Sequence, residues 1–263
     1  VGKVIAIANQ KGGVGKTTTS VNLAASMAAT RRKVLLVDLD PQGNATMASG
    51  VNKYEAERTI YELLVEEQPV RDVIITDTTG GYDLIAANGD ATAAEIRLME
   101  VFARELRLRT ALAPIREEYD YIFIDCPPAL NLLTVNAMSA ADSVLVPMQC
   151  EYFALEGLTA LVDTISKLAA VVNPQLKIEG VLRTMFDHRN RLSNEVSEQL
   201  KQYFGEKVYR TIIPRNVRLA EAPSHGTPVM YYDKSSLGSK AYLGLAGELL
   251  RREEQQQKAE ASA

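Results

Sequence analysis

Short apolar runs alternate with longer stretches of helical spacing along the whole chain. The runs at 4–8, 34–38, 84–86, 121–125, 143–147, 178–185 and 208–213 are rich in β-branched residues. Most are apolar at consecutive positions, the pattern of strands covered on both faces. Helical spacing fills 17–29, 93–113, 132–140, 155–172, 193–204 and 239–252. Strands alternating with helices predict βαβ units, and so an α/β fold with a mostly parallel twisted sheet and helices on both faces. Ser193 and Ser239 are the expected N-caps of the last two helices, and Pro174 and Pro214 punctuate element ends. With no internal repeat and no linker, residues 1–254 read as one domain and the polar stretch 255–263 as a disordered tail.

The first strand-to-helix junction carries the chemistry. Gln10-Lys11-Gly12-Gly13-Val14-Gly15-Lys16-Thr17-Thr18 lies between an apolar run and a helical stretch, the setting of a phosphate-binding loop. Gly12, Gly13 and Gly15 let backbone N–H groups curl around phosphate oxygens, and the helix start at Thr17 adds free donors and a favourable dipole. Lys16 is placed to reach the β- and γ-phosphates, and the Thr17 hydroxyl to ligate Mg²⁺. The motif departs from the common form twice: Gln10 stands where its first glycine belongs, and a second lysine, Lys11, follows.

Two more segments complete a P-loop NTPase pattern. The second strand ends in Asp38-Leu39-Asp40-Pro41-Gln42-Gly43-Asn44, at the sheet edge where open α/β folds bind ligands. Alternation predicts Asp38 and Asp40 on one side near the γ-phosphate, one carboxylate orienting or deprotonating a water and another supporting Mg²⁺ through water. The run 121–125 carries Asp125 to the same edge, where it can hold a water on Mg²⁺ or accept a hydrogen bond from Thr17.

Charge and composition narrow the rest. The net charge of −4 means that any nucleic-acid contact must come from a local patch, and residues 183–218 offer one, with eight Lys/Arg against four Asp/Glu. Cys126 and Cys150 fall in no CxxC pair and read as reduced thiols of the core, and His188 and His225 lack zinc spacing and read as surface or loop residues. No apolar stretch is long enough to span a membrane, and the phosphate loop opens too early in the chain to follow a leader peptide.

These segments, with Asp125-Cys126-Pro127-Pro128, the stretch 149–157 and the stretch 213–224, resemble the ParA/Soj chromosome-partitioning ATPases, members of the deviant Walker A group that includes MinD. The resemblance extends over residues 2–250 and implies ATP and Mg²⁺ as ligands and slow, partner-stimulated ATP hydrolysis. Lys11 resembles the signature lysine that crosses an ATP-bound homodimer to the partner's phosphates, and Gly12 would lie where two subunits meet. Lys11, Gly12, Gly13, Val14, Gly15, Lys16, Thr17 and Thr18 match the nucleotide loop, Pro214 and Asn216 the loop beside the adenine, and Asp40 the water-activating aspartate. Arg189, Arg215 and Arg218 match positions implicated in binding non-specific double-stranded DNA, and Glu151 is expected to approach nucleotide across the dimer.

The partner implied is a ParB-type centromere-binding protein, and the implied location is cytoplasmic and nucleoid-associated, with a further role in replication initiation left open. The alternative is a MinD-like membrane ATPase that positions the division site. Its amphipathic end helix has no counterpart in the polar run 251–259, so stable membrane association is not expected. An iron–sulfur reductase would need a second cysteine in the helical region 90–113, which has none.

Overall fold

The computed structural model describes residues 2–262. A seven-stranded sheet forms its centre: β1 (Lys3–Ile7), β2 (Val34–Asp38), β3 (Asp83–Ile85), β4 (Tyr121–Asp125), β5 (Ser143–Gln149), β6 (Lys177–Phe186) and β7 (Val208–Pro214). The spatial order is β3-β2-β4-β1-β5-β6-β7, and every ladder between these strands is parallel. All seven expected strands are present.

The continuous apolar runs resolve into two faces once the period of two is applied. Val4, Ala6, Leu35, Val37, Ile122 and Ile124 enter one core, and Ile5, Ile7, Leu36 and Phe123 enter the other. The helices in chain order are α1 (Lys16–Ala29), α2 (Asn44–Ala48), α3 (Ile60–Leu64), α4 (Val70–Val73), α5 (Asp90–Leu98), α6 (Arg107–Leu112), α7 (Leu132–Ala140), α8 (Ala154–Val171), α9 (Arg191–Phe204), α10 (Val217–Glu221), α11 (Val229–Tyr232) and α12 (Leu237–Ala261). Residues of α3 to α9 cover the first core, and those of α1, α2 and α10 to α12 the second. Among the described residues no helix is long and apolar enough to cross a membrane.

Three expectations change. The stretch 93–113 is not one helix: Ala103 has φ 52°, a left-handed backbone that cannot lie inside an α-helix, and it separates α5 from α6. The N-caps fall three residues early. Asn190 Oδ1 accepts the Ser193 amide and Ser236 Oγ accepts the Ser239 amide, so the two expected serines are the capped residues. The segment 255–261, expected to be disordered, continues α12, because Gln, Glu, Lys and Ala are good helix formers and nothing interrupts the turn.

At the amino ends of the strands the polar groups close on one another. Lys3 Nζ lies 2.9 Å from Glu179 Oε1 and 3.1 Å from Glu253 Oε1. Ser143 Oγ donates to Glu179 at 2.6 Å, and the Tyr121 hydroxyl donates to Glu253 of α12. Asp142 accepts the Val4 amide at 2.8 Å and the Arg116 guanidinium with both oxygens at 2.7 Å.

Candidate active site

The opposite, carboxyl ends of the strands open into a cavity of about 560 Å³. The loop between β1 and α1 forms one wall. Gly13 (φ 70°) and Gly15 (φ 87°) take left-handed backbone, which bends the loop and makes Gly15 the N-cap of α1 without a side-chain cap. The Gly15 N–H donates to no acceptor among the described residues. The first turn of α1 contains no acidic residue, so its positive end is left for a ligand. Gly12, Gly13, Gly15, Lys16, Thr17 and Thr18 all line the cavity, whereas the Val14 side chain is buried in the fold.

The two lysines part company. Lys16 is 7% exposed, and its ammonium donates to the Lys11 carbonyl at 2.8 Å. Burial lowers its pKa, while Asp125 and Asp40 act in the other direction. Lys11 does not line the cavity, and its exposed side chain pairs with Glu151. Beside that pair, Tyr152 and Phe153 meet edge to face and are both exposed.

Asp125 is buried at the end of β4. Its Oδ2 accepts the Thr17 hydroxyl at 2.8 Å and its Oδ1 the Ser20 hydroxyl at 2.8 Å. Burial raises its pKa, and these two hydrogen bonds oppose the rise.

The expectation for Asp38 is corrected. Its carboxylate accepts the Asp40 amide at 3.0 Å, the Thr46 amide at 2.9 Å and the Thr46 hydroxyl at 2.8 Å. It is fully buried, with its pKa raised by burial and then by Asp125, and it fixes the turn into α2 instead of facing the cavity. Asp40 does line the cavity. Its Oδ1 accepts the Gln42 amide at 3.0 Å, and its other oxygen has no hydrogen-bond partner among the described residues.

The far wall comes from β6, β7 and α10. Thr184, Met185, Pro214, Asn216 and Val217 line it, and Asn216 Oδ1 is buried without a hydrogen-bond partner. A buried amide oxygen left unpaired is costly in a closed fold and useful where a donor arrives with a ligand. Thr184, Met185 and Tyr242 were not legible from the sequence, because a single lining residue within a strand or helix leaves no periodic signal.

Of the three candidate arginines, Arg215 lines the cavity, and Arg189 and Arg218 lie in the segments that supply this wall. Arg189 sits on the turn after β6, with its guanidinium on Asp187 at 2.9 and 3.0 Å. That pairing holds the Asp187 carboxyl down to about 2, and Arg215 contributes. Arg218 on α10 pairs with Glu221 at 2.9 Å and Asp233 at 3.2 Å, and Arg215 is exposed at the cavity rim. The loop after α10 is tied to the segment after α2. A Cβ on Gly226 would come 3.3 Å from Gly50 Cα, and Thr79 Oγ1 donates to the Gly226 carbonyl at 2.7 Å.

A family model described as an AAA domain matches residues 2–178. The sporulation initiation inhibitor protein Soj of Bacillus subtilis (strain 168) is 53% identical over 249 residues, covering 95% of this chain and 98% of that protein. The chromosome partitioning protein ParA of Caulobacter vibrioides (strain NA1000 / CB15N) is 51% identical over 257 residues, covering 97% and 96%. Among solved structures, cobyrinic acid a,c-diamide synthase from Mycobacterium smegmatis, with bound ATP analog and magnesium, superposes with a TM-score of 0.84 at 35% identity, covering 97% of this chain and 96% of that one.

Proposed function

The chain belongs to the Soj/ParA family of chromosome-partitioning ATPases, and from that premise we propose an ATP-driven switch: two ATP-bound copies pair, hold DNA without sequence preference, and let go on hydrolysis. One observation carries the reading. The wall of the nucleotide cavity and the exposed arginines belong to the same short segments: Met185 lines the cavity four residues before Arg189, and Val217 and Leu219 line it on either side of Arg218.

The residues present fit ATP and a hard cation. Free loop amides and the buried Lys16 ammonium suit phosphate, and the unpaired Asn216 Oδ1 suits an amino group on the base. The Thr17 hydroxyl, with Asp125 through water, is the oxygen donor set that would hold Mg²⁺; magnesium, when bound, neutralises phosphate charge. Asp40, with one carboxylate oxygen uncommitted beside the loop, orients the attacking water and accepts its proton.

Gly12 supports pairing of two copies. It has no positive φ, and a Cβ there would meet nothing within 4 Å in its own chain, so the fold of one copy does not require glycine at this position. A second copy approaching this face supplies the missing reason, with Lys11 exchanging Glu151 for the partner's phosphates in the manner of a finger supplied in trans. Arginines from both copies then lie on one surface, and each neutralised phosphate adds to affinity and to its salt dependence. A ParB-type protein is the partner expected to speed hydrolysis, with the complex on the nucleoid.

The test is binding to a non-specific DNA duplex with ATP, ADP or no nucleotide. The expected result is binding with ATP only, falling steeply with salt and lost when Arg189 and Arg218 are both changed to Ala. Equal binding in all three states overturns the switch.

A further inference from the structure

Thr184, in β6, donates a hydrogen bond to one peptide unit of the phosphate loop. Its hydroxyl lies 2.6 Å from the Val14 carbonyl and 3.1 Å from the Met148 carbonyl at the end of β5. It is 2% exposed. A single hydroxyl proton serves one acceptor well, and the shorter contact is to the loop.

A trans peptide is planar, with its C=O and N–H pointing in opposite directions. Pinning the Val14 carbonyl on the Thr184 hydroxyl therefore fixes the Gly15 N–H on the opposite side of that peptide, and Gly15 lines the cavity. That N–H has no acceptor among the described residues. The two residues also pack: a Cβ on Gly15 would sit 3.6 Å from Thr184 Cγ2 and 3.8 Å from its Oγ1, and Gly15 is held at φ 87°. Glycine has no Cβ to restrict the peptide that precedes it, so the hydroxyl adds a constraint that the residue itself lacks.

We propose that Thr184 is a positioning residue that aims the Gly15 amide into the phosphate cavity by holding the Val14 carbonyl. The nearest alternative is that the hydroxyl only ties β6 to β5 through Met148, and the two roles separate experimentally. A role in the sheet affects folding. A role in the loop affects phosphate recognition and leaves recognition of the nucleoside untouched.

The test uses Thr184→Val, which keeps shape and strand preference and removes the hydroxyl, and Thr184→Ser, which restores it. ATP, ADP and adenosine are titrated against the intact protein, adenosine at millimolar concentration. Expected are ATP and ADP affinities lowered about tenfold in Thr184→Val and unchanged adenosine affinity. Thr184→Ser should return both nucleotides to within about twofold of the parent. Unchanged ATP affinity in Thr184→Val, an equal loss for adenosine, or a serine variant as weak as the valine variant would each overturn the assignment. If Thr184→Val does not fold, Thr184→Ala is read by the same split between ATP and adenosine.

Discussion

The two ends of the sheet use the same kinds of residue for opposite purposes. At the amino end Lys3, Glu179, Glu253, Tyr121 and Ser143 satisfy one another, and Asp142 closes the start of β1 against Arg116. At the carboxyl end the groups are left waiting: the Gly15 amide, one oxygen of Asp40 and Asn216 Oδ1 have no partner among the described residues. Buried polar groups are normally paired, so a concentration of unpaired ones marks where binding energy is to come from outside. A closed network holds the fold together, and an open one is a site.

Changing the open end should move chemistry and spare stability. The largest effect is expected for Lys16→Ala, which removes the cation buried beside the loop: ATP turnover should fall by about 100-fold or more, with a melting temperature near that of the parent. Next, Asp40→Ala should lower kcat by about 100-fold while ATP affinity is kept, leaving a DNA complex that persists after ATP addition. Normal turnover in that variant removes Asp40 from the chemistry.

Changing the closed end should do the reverse. Asp142→Ala leaves the Val4 amide without its acceptor and Arg116 without its carboxylate and should cost about 2 kcal/mol in chemical denaturation, with kcat and KM unchanged. A change in kcat would show that the ends are not independent. The smallest effect concerns pH. Burial opposes the charge on Lys3, but Glu179 and then Glu253 raise its pKa above the ordinary 10.5. Its contribution is therefore complete below pH 10.5 and disappears as pH rises through the higher folded value. Lys3→Met should lose about 1 kcal/mol at neutral pH and show a shallower alkaline decline than the parent.

The contrast also separates what the sequence discloses from what it conceals. The positions of the strands follow from apolar runs, and the loop from Lys11 to Thr18 is legible because its residues are contiguous and its spacing is fixed by phosphate geometry. Asp38 misleads, since period-two alternation places it beside Asp40 while the turn into α2 takes its carboxylate for Thr46. Ala103 breaks a helix that its neighbours' spacing favours, because one residue in left-handed backbone outweighs the propensity of the rest. The far wall joins Thr184, Asn216 and Tyr242 from three distant segments, and no local pattern marks residues whose only common property is where the chain returns.

The contact between Gly50 and Gly226 has a mechanical consequence. Two backbones in left-handed turns approach too closely to admit a relaxed side chain on either glycine, and the Thr79 hydroxyl ties one of them in place. Side chains can absorb a displacement by changing rotamer, whereas bare backbone has no such slack. The segment that leads from Asp40 through α2 and the loop behind Arg218 can therefore close on one another only if the backbone of one of them rearranges.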